Sequence, residues 1–139
     1  MARILLVDDE YSTRRPLYDT LVKAGHAVSV AEEGQLAVHE ALLVSRGNKP
    51  IDLLVTDRHM PKVDGMDMIV AMAYARCLPE RVIVLSRDFV SPGKADVFSE
   101  KLRALVPKET KFNFLALAKP IPENQLLYAV VHMLEDRVE

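Results

Sequence analysis

The 139-residue chain contains one cysteine, Cys77, and no tryptophan. A lone thiol cannot close an intramolecular disulfide, and Cys77 lacks the neighbours of a zinc cluster. A reducing compartment, and so a cytoplasmic location, is the expectation. Five glycines and eight prolines are too few for collagen-like repeats or a low-complexity tail. No apolar run approaches the roughly 20 residues that span a bilayer. The first run, Ile4-Leu5-Leu6-Val7, ends in Asp8-Asp9-Glu10, as no signal-peptide core does. An excess of one charge is also lacking: 18 basic residues face 20 acidic ones, and no block of like charges occurs. Neither nucleic acid nor an anionic membrane is therefore favoured as the main partner. What is present is 50% apolar and 27% charged, the balance of one soluble domain over residues 1–139. A chain of this size hides roughly two-thirds of its unfolded surface.

No internal repeat and no Gly/Ser-rich linker divides the chain. Short apolar runs at Arg3 to Val7, Ala27 to Ala31, Ile51 to Thr56, Val82 to Ser86 and Phe114 to Ala118 read as strands. Three of them are almost continuously apolar, as parallel strands covered on both faces are. The segments between have helical period. The first helix is expected to open at Ser12 or Thr13 as N-cap, putting Pro16 in its first turn. Leu17, Leu21 and Ala24 share a face, and Gly25 is a natural stop. The second runs from about Glu33 to Arg46 with Leu36, Ala37, Ala41 and Val44 inward, ended by Gly47-Asn48. The third starts near Gly65 and buries Met66, Ile69, Val70 and Ala73. The fourth lies between Pro92 and Val106, and the fifth follows Pro122 with Leu126, Leu127, Val130, Met133 and Leu134. Alternation of this kind implies an α/β fold: a parallel sheet doubly wound by helices on both faces. Met60, Met66, Met68 and Met72 raise the thought of a soft-metal site, but the last three have one helix's spacing and read as core.

In such a sheet the chemistry collects beyond the carboxyl ends of the strands. Reading those ends gives Asp8-Asp9 after the first, Asp57 after the third, Ser86 after the fourth and Lys119 after the fifth. Taken singly, each has an ordinary structural role as cap, turn former or solvated lysine. Together they are chemically coherent. Three close carboxylates repel one another unless a cation neutralises them, and all-oxygen ligation with open positions suits Mg²⁺. A carboxylate can attack phosphorus to give an aspartyl phosphate. An ammonium and a hydroxyl then stabilise the phosphoryl oxygens.

These stretches resemble a receiver domain of a bacterial two-component response regulator, the CheY-like family. The matching residues are Ile4 to Glu10, Leu53-Leu54-Val55-Thr56-Asp57, Met60-Pro61, Asp64-Gly65, Val84-Leu85-Ser86 and Ala118-Lys119-Pro120. The resemblance covers essentially the whole chain, with receiver elements from Arg3 to about Glu135. No stretch of this chain is then left for an output domain, though Asp136-Arg137-Val138-Glu139 could equally begin a linker. It implies a flavodoxin-like sheet of five strands in order 2-1-3-4-5 with five helices. It implies that Asp57 is the phosphoacceptor, supplied by a sensor histidine kinase, a phosphotransfer protein or a small phosphodonor. Asp8, Asp9 and Asp57, with the backbone carbonyl of His59, would hold Mg²⁺. Lys119 would pair with Asp57 and contact the phosphoryl group, Ser86 would turn inward to bond it, and Lys119-Pro120 would be cis. The implied output is a protein partner, bound through the face of the fourth helix, fifth strand and fifth helix.

The chain departs from that pattern in three places. The usual aromatic three residues before Lys119 is Ala116, and Phe114 is the nearest substitute. The residue after the hydroxyl, normally small, is Arg87, which would either hinder small donors or add a cation. The interval from Ser86 to Lys119 is 33 residues (119 − 86), about three helical turns longer than the family implies. Its excess lies in Pro92 to Lys111, with Lys94, Lys101, Arg103, Lys108 and Lys111 among apolar positions. His59 and Asp88 would flank the attack path; as a side chain, His59 reads as an exposed loop histidine rather than a ligand. Two other readings remain open: a receiver-like scaffold not regulated by phosphorylation, and a phosphatase with an aspartyl-phosphate intermediate. The second lacks its acid two residues beyond the nucleophile, where His59 stands.

Overall fold

A computed structural model describes residues 1–47 and 49–135. Its strands are β1 (Arg3–Val7), β2 (Ala27–Ala31), β3 (Leu53–Asp57), β4 (Arg81–Ser86) and β5 (Asn113–Ala118). The helices are α1 (Tyr11–Lys23), α2 (Gly34–Ser45), α3 (Gly65–Tyr74), α4 (Lys94–Leu105) and α5 (Glu123–Glu135), and a 3₁₀ turn at Arg87–Val90 precedes α4. The strands form one parallel sheet in the order β2-β1-β3-β4-β5. This is the doubly wound, flavodoxin-like arrangement expected.

Alternate side chains of each strand feed opposite faces, and the sheet accordingly separates two cores. Leu5, Val7, Leu54, Val82 and Val84 pack with Met68, Ile69 and Met72 of α3 and Phe98 and Leu102 of α4. Ile4, Leu6, Leu53, Val55, Ile83 and Leu85 pack with Leu17 and Leu21 of α1 and Leu126, Val130 and Met133 of α5. The central strands β1, β3 and β4 are buried on both sides, which is why their sequences are continuously apolar; β2 and β5 are more exposed edges.

Several boundaries differ from expectation for identifiable reasons. Neither Ser12 nor Thr13 caps α1. The helix starts at Tyr11, and the Glu10 carbonyl accepts the Thr13 and Arg14 N–H groups. Thr13 instead donates its hydroxyl to Asp8. Pro16 therefore sits inside the helix rather than in its first turn, on an exposed side where water can reach the carbonyl it leaves free. Ala24 is an exposed C-cap, followed by Gly25 at φ +93° as the left-handed stop. In α2, Ala37 and Ala41 are buried, but Leu36 is 51% exposed, and Val38 and Leu42 lean on the core in its place. That helix is apolar nearly all round, so periodicity alone cannot choose its inner face. In α3 the fully buried residues are Met68, Ile69 and Met72; Met66 and Val70 are only partly covered. β3 begins at Leu53 rather than Ile51, because Asp52 turns its carboxylate to accept the Arg3 N–H at 2.8 Å. Asn48 and residues 136–139, proposed above as part of a helix stop and as a linker, lie outside the described residues.

Candidate functional site

Because all five strands are parallel, their carboxyl ends share one edge, and the order places β1 beside β3 at the point where the winding reverses. Asp8 and Asp9 follow β1 there, Asp57 is the last residue of β3, Ser86 the last of β4, and Lys119 follows β5. All five sequence-selected positions thus reach the same end of the sheet.

Asp8 is fully buried and completely engaged. Its Oδ1 accepts the Glu10 N–H at 3.0 Å, while Oδ2 accepts the Thr13 hydroxyl at 2.7 Å and lies 3.2 Å from Lys119 Nζ. The guanidinium of Arg14 donates to the Asp8 carbonyl at 2.9 Å. Lys119 also stands 3.3 Å from Asp57 Oδ1, which accepts the Arg58 N–H at 3.1 Å. One ammonium therefore bridges two carboxylates. Asp8, Asp9 and Asp57 each offer an oxygen, and those oxygens lie within 4.8 Å of one another. Three carboxylates against one ammonium leave net negative charge, and burial above all pushes the Asp57 carboxyl above its ordinary range; Lys119 opposes this, while Asp8 and Asp9 add to it. A compact set of hard oxygens with surplus negative charge fits a small divalent cation such as Mg²⁺.

The backbone around Asp57 is tightly constrained. Asp64 caps α3 by accepting the Asp67 N–H at 2.9 Å, and Gly65 N–H donates to the Arg58 carbonyl at 2.7 Å. A Cβ on Gly65 would meet the Asp57 carbonyl oxygen at 2.6 Å, so the start of α3 presses on the end of β3 and only glycine fits.

Ser86 is buried, and its Oγ accepts the Asp88 N–H at 3.1 Å, capping the 3₁₀ turn. The Asp88 carboxylate reaches across to the loop after β3, 2.6 Å from His59 Nε2 and 3.2 Å from the Arg58 guanidinium. The His59 hydrogen bond, chiefly, holds the Asp88 carboxyl below its ordinary range. The His59 ring is thus exposed and turned to Asp88 rather than to the acidic cluster. Glu10, Asp57, His59, Arg87, Asp88 and Lys119 line a cleft of about 460 Å³, so Arg87 stands at the phosphoacceptor candidate's door. The Lys119-Pro120 peptide is cis. Phe114 does not lie free: it stacks on Phe98 of α4.

Two participants carry no sequence signal for the site. Thr13 has the identity of a helix cap, yet its hydroxyl serves Asp8. Arg58, a loop arginine without a periodic or motif signal, pairs with a carboxylate 30 positions away. Among the described residues no helix is long and apolar enough to cross a membrane.

Comparison with known proteins agrees with this geometry. The response regulator receiver domain family matches residues 4–130. The sensory/regulatory protein RpfC of Xanthomonas campestris is 30% identical over 128 residues, 90% of this chain but 15% of RpfC, so the chain spans a small part of that relative. A chemotaxis protein CheY homolog of Campylobacter jejuni is 29% identical over 98 residues, 70% of this chain and 71% of that one. Vibrio cholerae CheY4 superposes with a TM-score of 0.74 at 23% identity, covering 96% of this chain and 98% of its own. The receiver domain of the Pseudomonas aeruginosa sensor histidine kinase PA1611, described with a magnesium ion coordinated in its active site cleft, gives 0.71 at 20%, covering 97% and 98%. A family match over nearly the full length, on a sheet wound in the same order, places this protein among the response regulator receiver domains, the CheY-like family of two-component signalling.

Proposed function

We propose that the chain, as one receiver unit over residues 1–139, accepts a phosphoryl group on Asp57 and thereby changes its affinity for a protein partner. The observation that carries this reading is the ammonium of Lys119 held within 3.3 Å of Asp57 beside two further carboxylates. In the transfer, one Asp57 carboxylate oxygen attacks phosphorus. The bond from phosphorus to the donor's leaving group breaks, and its electron pair departs with that group. Lys119 then exchanges its contact with Asp57 for the new phosphoryl oxygens, and the Ser86 hydroxyl donates to them. Asp8, Asp9 and Asp57, with the backbone carbonyl of His59, would hold Mg²⁺, which neutralises charge on the phosphoryl oxygens. The donor is a sensor histidine kinase or phosphotransfer protein, the setting cytoplasmic, and the output surface that of α4, β5 and α5. The ligand-dependent change is a population shift, so the phosphoryl group acts only as far as it binds one conformer better.

The test is incubation with acetyl phosphate and Mg²⁺, followed by mass spectrometry for a base-labile adduct. The adduct is expected on the wild type and absent from Asp57→Asn. No adduct from acetyl phosphate or from any kinase tried would favour an unphosphorylated scaffold, and turnover of an added phosphoester would favour a hydrolase.

A further inference from the structure

All four phenylalanines of the chain, Phe89, Phe98, Phe112 and Phe114, fall in the long interval between Ser86 and Lys119. Phe98 is fully buried in α4 and is the hub of three contacts. Phe89, in the 3₁₀ turn, meets it edge-on with centroids 5.5 Å apart. Phe114 of β5 stacks on it at 5.6 Å and 22°. The Arg58 guanidinium lies over it, 5.0 Å from the ring centroid. The same guanidinium is 3.2 Å from the Asp88 carboxylate, and the Asp88 N–H is bonded to Ser86 Oγ at 3.1 Å.

A continuous line of contacts therefore runs from Ser86 through Asp88 and Arg58 to Phe98, and on to β5. Each link depends steeply on geometry: an ion pair on separation, a cation over a ring on its centring. Asp88 moves with the turn that Ser86 caps, and Arg58 directly follows Asp57, to whose carboxylate its backbone N–H is bonded, so it senses the displacement of one loop against the other. We propose that Arg58 is a positioning residue that couples the state of Ser86 and its turn to Phe98 and so to the α4–β5 surface. The proposal rests on the phosphoacceptor reading above and adds the route by which phosphorylation reaches the output face.

Uniform labelling with 4-fluorophenylalanine puts every ¹⁹F probe in this region, and single Phe→Leu variants assign the four resonances. Phe112, packed against Arg103 at 4.8 Å, serves as the reference ring. Resonances are compared before and after acetyl phosphate with Mg²⁺, at equal adduct occupancy measured by mass on the same sample. In the wild type the Phe98 and Phe114 resonances are expected to shift more than that of Phe112. In Arg58→Gln their shift should fall to less than half, and Arg58→Lys, which keeps the charge, should recover most of it. Equal shifts in Arg58→Gln and wild type would overturn the coupling, as would a lysine variant no better than glutamine. An adduct that leaves Phe98 and Phe114 unmoved in the wild type would overturn it too. No wild-type adduct at all would overturn the phosphoacceptor reading, and this inference with it.

Discussion

Gly65 approaches Asp57 so closely that a methyl group on it would sit 2.6 Å from the Asp57 carbonyl oxygen. Gly65→Ala must push α3 away from the end of β3, at a cost of about 1–3 kcal/mol by analogy with overpacked cores. Urea unfolding measures that loss. The shift also displaces the carboxylate proposed to attack phosphorus, so adduct formation should slow by roughly 10- to 100-fold. A variant that unfolds at a lower urea midpoint yet forms adduct at the wild-type rate would contradict the second effect.

Lys119 is the counter-charge to two carboxylates and is itself only 14% exposed. Lys119→Met leaves Asp8 and Asp57 facing each other without it, the situation in which one member of a buried ion pair is removed. The expected loss is about 3 kcal/mol in buffer with a chelator, read from denaturant midpoints. Added Mg²⁺ should recover part of it, because a cation in the acidic cluster restores the missing positive charge.

The direction of the Asp57 shift makes a separate prediction. Its carboxyl titrates higher in the folded chain than in the unfolded one. The favourable contribution is therefore present in acid, below the unfolded value, and is lost as pH rises through the folded value. At neutral pH the ionised group is a net cost. Asp57→Asn, without metal, should melt at a higher temperature than the wild type at pH 7, and the gap should close on acidification. Mg²⁺ should raise the melting temperature of the wild type more than that of the variant.

His26 supplies an independent pH effect at the opposite end of the sheet. Its Nδ1 accepts the Ala2 N–H at 3.1 Å, and burial, aided by the terminal ammonium, lowers its pKa. A histidine held neutral contributes stability above its unfolded value of about 6.5, and loses it as pH falls from there through the lower folded value. Thermal melts of the wild type should therefore decline between pH 7.5 and pH 5.5, and His26→Gln should flatten that slope. A variant with the wild-type slope would remove His26 from the account.

The parallel sheet and its acidic edge were legible because β1, β3 and β4 are buried on both faces, which writes nearly continuous apolar runs leading to Asp8, Asp57 and Ser86. Side-chain competition was not legible. Thr13 has a capping residue's identity, but the buried Asp8 carboxylate claims its hydroxyl. In α2, Leu36 and Val38 are both apolar, and only the packing of the helix on its neighbours α3, β1 and β2 decides which is covered. Arg58 belongs to the same class: its partners Asp88 and Phe98 are brought to it by the crossover between β3 and β4, and no local pattern announces them.

The separation of the two cores by the sheet has a consequence for how the protein can change. Phe98 and its ring neighbours belong to the core under α3 and α4, whereas α1 and α5 cover the other. Substitutions in the two cores share no side-chain partners, so their effects on stability should add. The face of α1 and the face of α4 can then be altered independently, while the acidic edge between them stays as it is.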